Sequence, residues 1–216
     1  MQNRKAVLYV HGKGGNAAEA EFYAGIFPEC DVVGFDYKSE TPWESMGEFQ
    51  SEAKSLLAEY DGIILVANSI GAYFSLLSLA DMPIEKAYFI SPIANMEKLI
   101  LDMMQWSGVT EDELQEKGVI ATEFGEDLSW EYLTWVSSHP VSWHIPTEIL
   151  YGSEDKLQSV NTIKAFADDI GAGLTIMEQG EHWFHTEEQL QFLREWLISN
   201  LVICQQVFSK VFEANS

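Results

Sequence analysis

Six short apolar runs recur along the chain: AVLYV (6–10), DVVGFDY (31–37), GIILVA (62–67), KAYFIS (86–91), TEILYG (147–152) and GLTIME (173–178). Each is rich in Val, Ile, Leu, Tyr or Phe, and most end at Gly, Ser, Asn or Asp. Runs that are apolar on both faces read as buried strands of a parallel sheet. Helical spacing fills the stretches between them. Met46, Phe49, Ala53, Leu56 and Leu57 share one face of residues 46–60. Residues 159–171 repeat the pattern and end at Gly171, a C-cap residue. Residues 185–201 open with Thr186 and Gln189 at capping-box spacing. Strands alternating with helices predict an α/β fold, a mostly parallel sheet flanked by helices.

Residues 95–144 break the alternation. No strand is expected there. Helical stretches are predicted near 95–106, 110–117 and 129–136, giving a helical insertion at the edge or top of the sheet. A chain of 216 residues with 47% hydrophobic content fits one domain with a sizeable core. We read residues 1–200 as that domain, with the insertion inside it, and 201–216 as a C-terminal amphipathic extension. The net charge of −22 argues against nucleic acid or an anionic membrane as partner. Cys30 and Cys204 show neither metal-ligand spacing nor a disulfide framework. No signal-peptide or membrane-spanning pattern is seen, so the expected setting is cytoplasmic.

LVANSIGAYF (65–74) places a serine between an apolar strand and an apolar helix, with Ala67 two before it and Gly71 two after. This A-x-S-x-G matches a nucleophile elbow, G-x-S-x-G with Ala in the first slot. A bend of this kind needs small neighbours and strains the serine. In exchange it lifts the hydroxyl clear of the sheet and aims the next N–H, that of Ile70, at a developing oxyanion. A serine nucleophile needs a base, and the base needs an orienting acid. YGSEDKL puts Asp155 just past one strand, and GEHWFH puts His182 just past another. Glu154 and His185 are the neighbouring alternatives; Asp155 is the shorter acid, and His185 sits where it would help cap the last helix. His139 and His144 fall in the insertion, away from strand ends. HGKGG (11–15) ends the first strand in a glycine-rich turn whose Lys13 N–H could supply a second oxyanion donor.

With these residues in hand, the chain resembles the α/β-hydrolase superfamily, in particular its small single-domain bacterial serine hydrolases. The resemblance spans about residues 6–200 and rests on HGKGG (11–15), ANSIG (67–71), GSED (152–155) and GEH (180–182). It implies a Ser69–His182–Asp155 hydrolase that uses no metal and no cofactor, with an acyl-enzyme intermediate and a cap over the serine. A small carboxylic ester is the first reading of the substrate. A peptidase or amidase on the same triad, or a binding module that keeps the fold without catalysis, are the alternatives. Trp106, Trp130, Trp135 and Trp143 of the insertion and Trp183 beside His182 are candidates to line the pocket. Glu111, Asp112, Glu113, Glu116, Glu123, Glu126, Asp127 and Glu131 make the insertion acidic, which favours a neutral or cationic small-molecule substrate.

Beyond Asn200, the residues Cys204, Val207, Phe208, Val211 and Phe212 share one helical face. The helix is expected to continue, or to resume after Asn200. Its stripe would pack on its own domain or pair with a second copy of the chain as a homodimer.

Overall fold

The computed structural model describes the backbone of residues 4–214 and the side chains of residues 4–201. In chain order the strands are β1 (Lys5–Val10), β2 (Cys30–Phe35), β3 (Gly62–Asn68), β4 (Ile84–Ile90), β5 (Val119–Ala121), β6 (Asp127–Ser129), β7 (Thr147–Gly152) and β8 (Gly173–Met177). The helices are α1 (Glu21–Ala24, after a 3-10 turn at Ala17–Ala20), α2 (Pro42–Glu59), α3 (Ser69–Ser78), α4 (Met96–Ser107), α5 (Glu111–Lys117), α6 (Trp130–Ser138), α7 (Val160–Ile170) and α8 (Glu187–Ala214). Six strands form one parallel sheet in the order β2-β1-β3-β4-β7-β8.

That order follows from burial on two sides. Ala6, Leu8 and Val10 of β1 face one core with Ile63, Leu65 and Ala67 of β3, covered by Phe49 and Ala53 of α2, Leu76 of α3 and Ile163 of α7. Val7 and Tyr9 face the other core with Val66, covered by Tyr23 of α1 and by Leu193, Trp196 and Leu197 of α8. Each of the Val, Leu, Ile and Phe side chains among them contributes about 1.5–3 kcal/mol by leaving water, so a strand apolar on both faces is most stable between two helical layers. The chain leaves β1 for β2 on one side and returns to β3 on the other. The loops after β1 and β3 therefore diverge, and a crevice opens beyond their carboxyl ends, where open α/β sheets bind ligands.

The insertion between β4 and β7 shares the first core: Met96, Leu99, Ile100, Leu114, Leu128, Leu133 and Val136 are all part of it. It is not purely helical. β5 and β6 pair antiparallel, with Val119 opposite Ser129 and Ala121 opposite Asp127, which corrects the expectation of no strand in this region. The arms have three residues each and are largely exposed at β5, too short for an apolar pattern to mark them. Helix α2 begins four residues before the periodic stretch at Met46, with Pro42 in its first position and the Glu44 carboxylate accepting from Thr41 N–H at 3.1 Å. α8 is continuous through Asn200. The stripe at Cys204, Val207, Phe208, Val211 and Phe212 lies outside the described side chains. Among the described residues no helix is long and apolar enough to cross a membrane.

Burial also fixes how the tyrosines titrate. Tyr9, Tyr23, Tyr37, Tyr73 and Tyr132 are all held above the ordinary phenol range, with loss of hydration the largest cause for each. A phenol whose folded pKa is raised stabilises the fold below its unfolded pKa of about 10, and that contribution is lost as pH climbs toward the folded value. Alkaline titration should therefore show phenolate absorbance from these tyrosines only together with loss of the circular dichroism signal. Full phenolate formation with the fold intact would contradict the burial described here.

Candidate active site

Ser69 is the first residue of α3 and has a backbone φ of 50°, in the left-handed region that non-glycine residues avoid. The bend is locked from several directions. Its carbonyl accepts from Ile93 N–H at 3.1 Å. A Cβ on Gly71 would lie 2.3 Å from the His11 carbonyl oxygen, so only glycine lets the start of α3 pass over the end of β1. A Cβ on Gly12 would lie 3.1 Å from the Ser69 Cβ, so the loop after β1 runs directly against the serine. Ala67 is fully buried beneath the bend.

The Ser69 hydroxyl lies 2.8 Å from His182 Nε2, and His182 Nδ1 lies 2.7 Å from Asp155 Oδ2. The Asp155 side chain is fully buried, whereas that of His182 is 21% exposed. Asp155 sits in the turn after β7, where its N–H donates to the Gly152 carbonyl at 3.0 Å. Its second oxygen accepts from Leu157 N–H at 2.8 Å and Gln158 N–H at 3.3 Å, which leaves Oδ2 free to hold the imidazole. The carboxylate's charge, after burial, helps push the neighbouring Tyr151 phenol up to about 12. The histidine loop is stitched to the aspartate loop: Ser153 N–H donates to the Met177 carbonyl at 3.0 Å and Glu154 N–H to the Gly180 carbonyl at 2.8 Å. Two glycines make that contact possible, since a Cβ on Gly152 would lie 2.4 Å from the Gly180 oxygen and 2.5 Å from that of Glu181.

The glycine-rich loop is a turn closed by Gly15 N–H donating to the Gly12 carbonyl at 3.1 Å, with Gly14 at φ 75°. His11 Nδ1 lies 2.8 Å from the same carbonyl, and its ring stacks on Tyr37 at 4.4 Å. Ile70 N–H belongs to the first turn of α3, where backbone donors have no acceptor within the helix. The Lys13 side chain is exposed and pairs with the Glu126 carboxylate. This contact between the loop and the insertion carries no sequence signal in so acidic a segment.

Two of the alternative histidines are engaged elsewhere, and Glu154 and His144 are exposed. His185 Nδ1 lies 2.8 Å from the Trp183 carbonyl, and its N–H donates to Gln189 at 3.1 Å, at the start of α8 as the capping box predicts. His139 stacks on Trp135 at 3.9 Å. The tryptophans do not form one pocket. Trp143 belongs to the core: it packs on Phe89 at 5.6 Å and donates to Thr147 at 2.7 Å, so it is not a pocket residue. Trp183 is 71% exposed and stacks on His185 at 4.5 Å, so it is a neighbour of the histidine without forming a wall around it. Trp106 is exposed and meets the edge of Phe124 at 6.3 Å. Trp135 is half-buried against Trp43 at 6.0 Å, and half-buried Trp130 lines a shallow depression with Leu101 and Leu133.

Gln158 escaped the sequence reading. It is buried, donates its N–H to Asp155, and through its side chain accepts from Asn95 N–H at 2.9 Å and donates to the Asn95 carbonyl at 3.2 Å. It thus ties the aspartate loop to the start of the insertion. Glycine contacts give the site its tightest test. Gly152→Ala should cost on the order of 1–3 kcal/mol, because two backbone carbonyls must move. Gly47→Ala, in mid-α2 with nothing within 4 Å of the new Cβ, should instead add up to about 1 kcal/mol. Urea unfolding of both variants checks this, and equal effects would contradict the packing.

No family model and no curated protein sequence matches the chain. Solved structures do. Est1E from Butyrivibrio proteoclasticus aligns over 94% of this chain and 88% of its own, with TM-score 0.72 and 14% identity. Alpha/beta hydrolase domain-containing protein 10 from mouse aligns over 93% and 90%, with TM-score 0.68 and 17% identity. The Pyrococcus furiosus esterase Pf2001 aligns over 89% and 82%, with TM-score 0.61 and 18% identity. The parallel sheet order, the bend at Ser69 and this shared architecture establish that the chain has the α/β-hydrolase fold.

Proposed function

We propose that the protein is a serine hydrolase that cleaves small carboxylic esters through an acyl-enzyme intermediate. The observation that carries the reading is the hydrogen-bonded line from Ser69 Oγ through His182 to Asp155, at 2.8 and 2.7 Å, built from the start of α3 and the loops after β7 and β8. His182 takes the Ser69 proton at Nε2 as Oγ attacks the carbonyl carbon. Asp155 holds the Nδ1–H tautomer and stabilises the imidazolium. The Ile70 and Lys13 N–H groups are the proposed donors to the tetrahedral oxyanion, each worth about 3–4 kcal/mol of transition-state stabilisation. His182 returns the proton to the departing alkoxide and then takes one from the water that attacks the acyl carbon; the bond from that carbon to Ser69 Oγ breaks, His182 gives the proton back to Oγ, and the acid leaves. Side chains and backbone handle every proton and bond in this cycle, so it draws on no cofactor. The esterase among the structural neighbours, and the ferulic acid bound to Est1E, agree with an ester substrate. The exposed acidic side chains of α5 and the hairpin favour one that is neutral or cationic.

A fluorophosphonate should form one adduct, on Ser69, and Ser69→Ala should lose both labelling and ester turnover. His182→Ala should lower kcat by about 10⁵-fold or more, and Asp155→Asn by up to about 10⁴-fold. His185→Ala should leave kcat nearly unchanged. An adduct on another serine, or equal damage from the two histidine variants, would overturn the assignment.

A further inference from the structure

The proposed oxyanion donors sit on two different segments, the loop after β1 and the start of α3. Something must fix the distance between them. Tyr9 of β1 is buried, and its side chain points away from the face that carries Leu8 and Val10. Its hydroxyl donates to Glu19 Oε2 at 2.5 Å and accepts from the Asn68 side-chain N–H at 3.0 Å. Asn68 is the residue before Ser69. The other Glu19 oxygen accepts from Asn16 N–H at 3.1 Å, where the glycine-rich loop ends. Gly15 leaves room for this, because a Cβ there would lie 2.8 Å from that oxygen. Tyr23 stacks on Tyr9 at 4.8 Å and closes the other side of the phenol.

The chain Asn16–Glu19–Tyr9–Asn68 thus begins three residues after Lys13 and ends two before Ile70. Two of its links involve a carboxylate, which makes them stronger than neutral hydrogen bonds. The Asn68 side-chain oxygen, Oδ1, is buried with no protein hydrogen-bond partner. The bond that Asn68 Nδ2 donates to the Tyr9 hydroxyl is therefore a principal restraint on how that side chain lies. We propose that Tyr9 and Glu19 are positioning residues that set the spacing of the two oxyanion donors; this rests on the assignment of Ser69 as nucleophile. Neither touches the substrate. They act through the loop and the elbow they join, and a shift of about 1 Å between donors costs up to about 100-fold in rate.

Fluorophosphonate labelling of Ser69 tests this in the full chain, because phosphonylation also develops charge on an oxygen held by the same donors. Tyr9→Phe should slow the labelling rate constant, and kcat for an ester, by about 10-fold or more, with KM within about twofold and complete final labelling. Affinity for a trifluoromethyl ketone, which forms a tetrahedral adduct, should fall by a similar factor. Glu19→Ala, at an exposed turn, should do the same without depending on how the core tolerates the first variant, and Glu19→Gln should recover part of the loss. A purely structural role would lower the melting temperature while leaving the labelling rate and ketone affinity unchanged, and that result overturns the proposal. If the wild-type chain is not labelled on Ser69 at all, the nucleophile assignment falls and this inference falls with it.

Discussion

The site depends on a close backbone crossing at the carboxyl edge of the sheet. At φ 50° Ser69 carries a cost of about 1–3 kcal/mol, and the surroundings hold it there. Gly71 passes 2.3 Å (as a hypothetical Cβ) from the His11 carbonyl, Gly12 lies against the serine, and Ile93 N–H grips the serine carbonyl. Release of any one contact would let the residue relax toward an ordinary helix start. A hydroxyl there would no longer face His182. The strain is therefore what aims the Ser69 hydroxyl at His182, and the packing of β1 against β3 is what maintains it.

A second crossing of the same kind supports the other half of the site. Gly152 and Gly180 let the loops after β7 and β8 touch, which brings Asp155 and His182 together although 27 residues separate them. The Asp155 side chain is fully buried and accepts from two backbone N–H groups besides the histidine. Three hydrogen bonds offset the cost of taking this carboxylate out of water, and losing one would leave a buried oxygen without that partner. Gln158 extends this network to Asn95, so the aspartate loop and the start of the insertion share one hydrogen-bonded frame.

Much of this was legible in the sequence. The six sheet strands fall within a residue or two of the apolar runs, because burial leaves few polar positions in them to blur the signal. Ser69, His182 and Asp155 could be selected because each follows a strand end, and a parallel sheet gathers those ends at one edge. What was not legible depends on contacts between distant segments. The β5–β6 hairpin has three-residue arms, too short to show a period. Trp143 and Trp183 share a residue type, yet one is core and the other is solvent-exposed; adjacency to His182 in the chain says nothing about which way an indole turns. The Tyr9–Asn68 bond joins residues 59 apart and leaves no pattern in either segment.

The central claim is that Ser69 carries the acyl group during turnover. Acid quenching of the wild-type chain during steady-state hydrolysis of p-nitrophenyl acetate, followed by peptide mass analysis, reads this directly. The account predicts an acetyl group on the peptide containing Ser69, approaching one per chain when deacylation is slowed, and none in Ser69→Ala. Turnover that proceeds with no acylated Ser69, or with the acyl group on another residue, would contradict it.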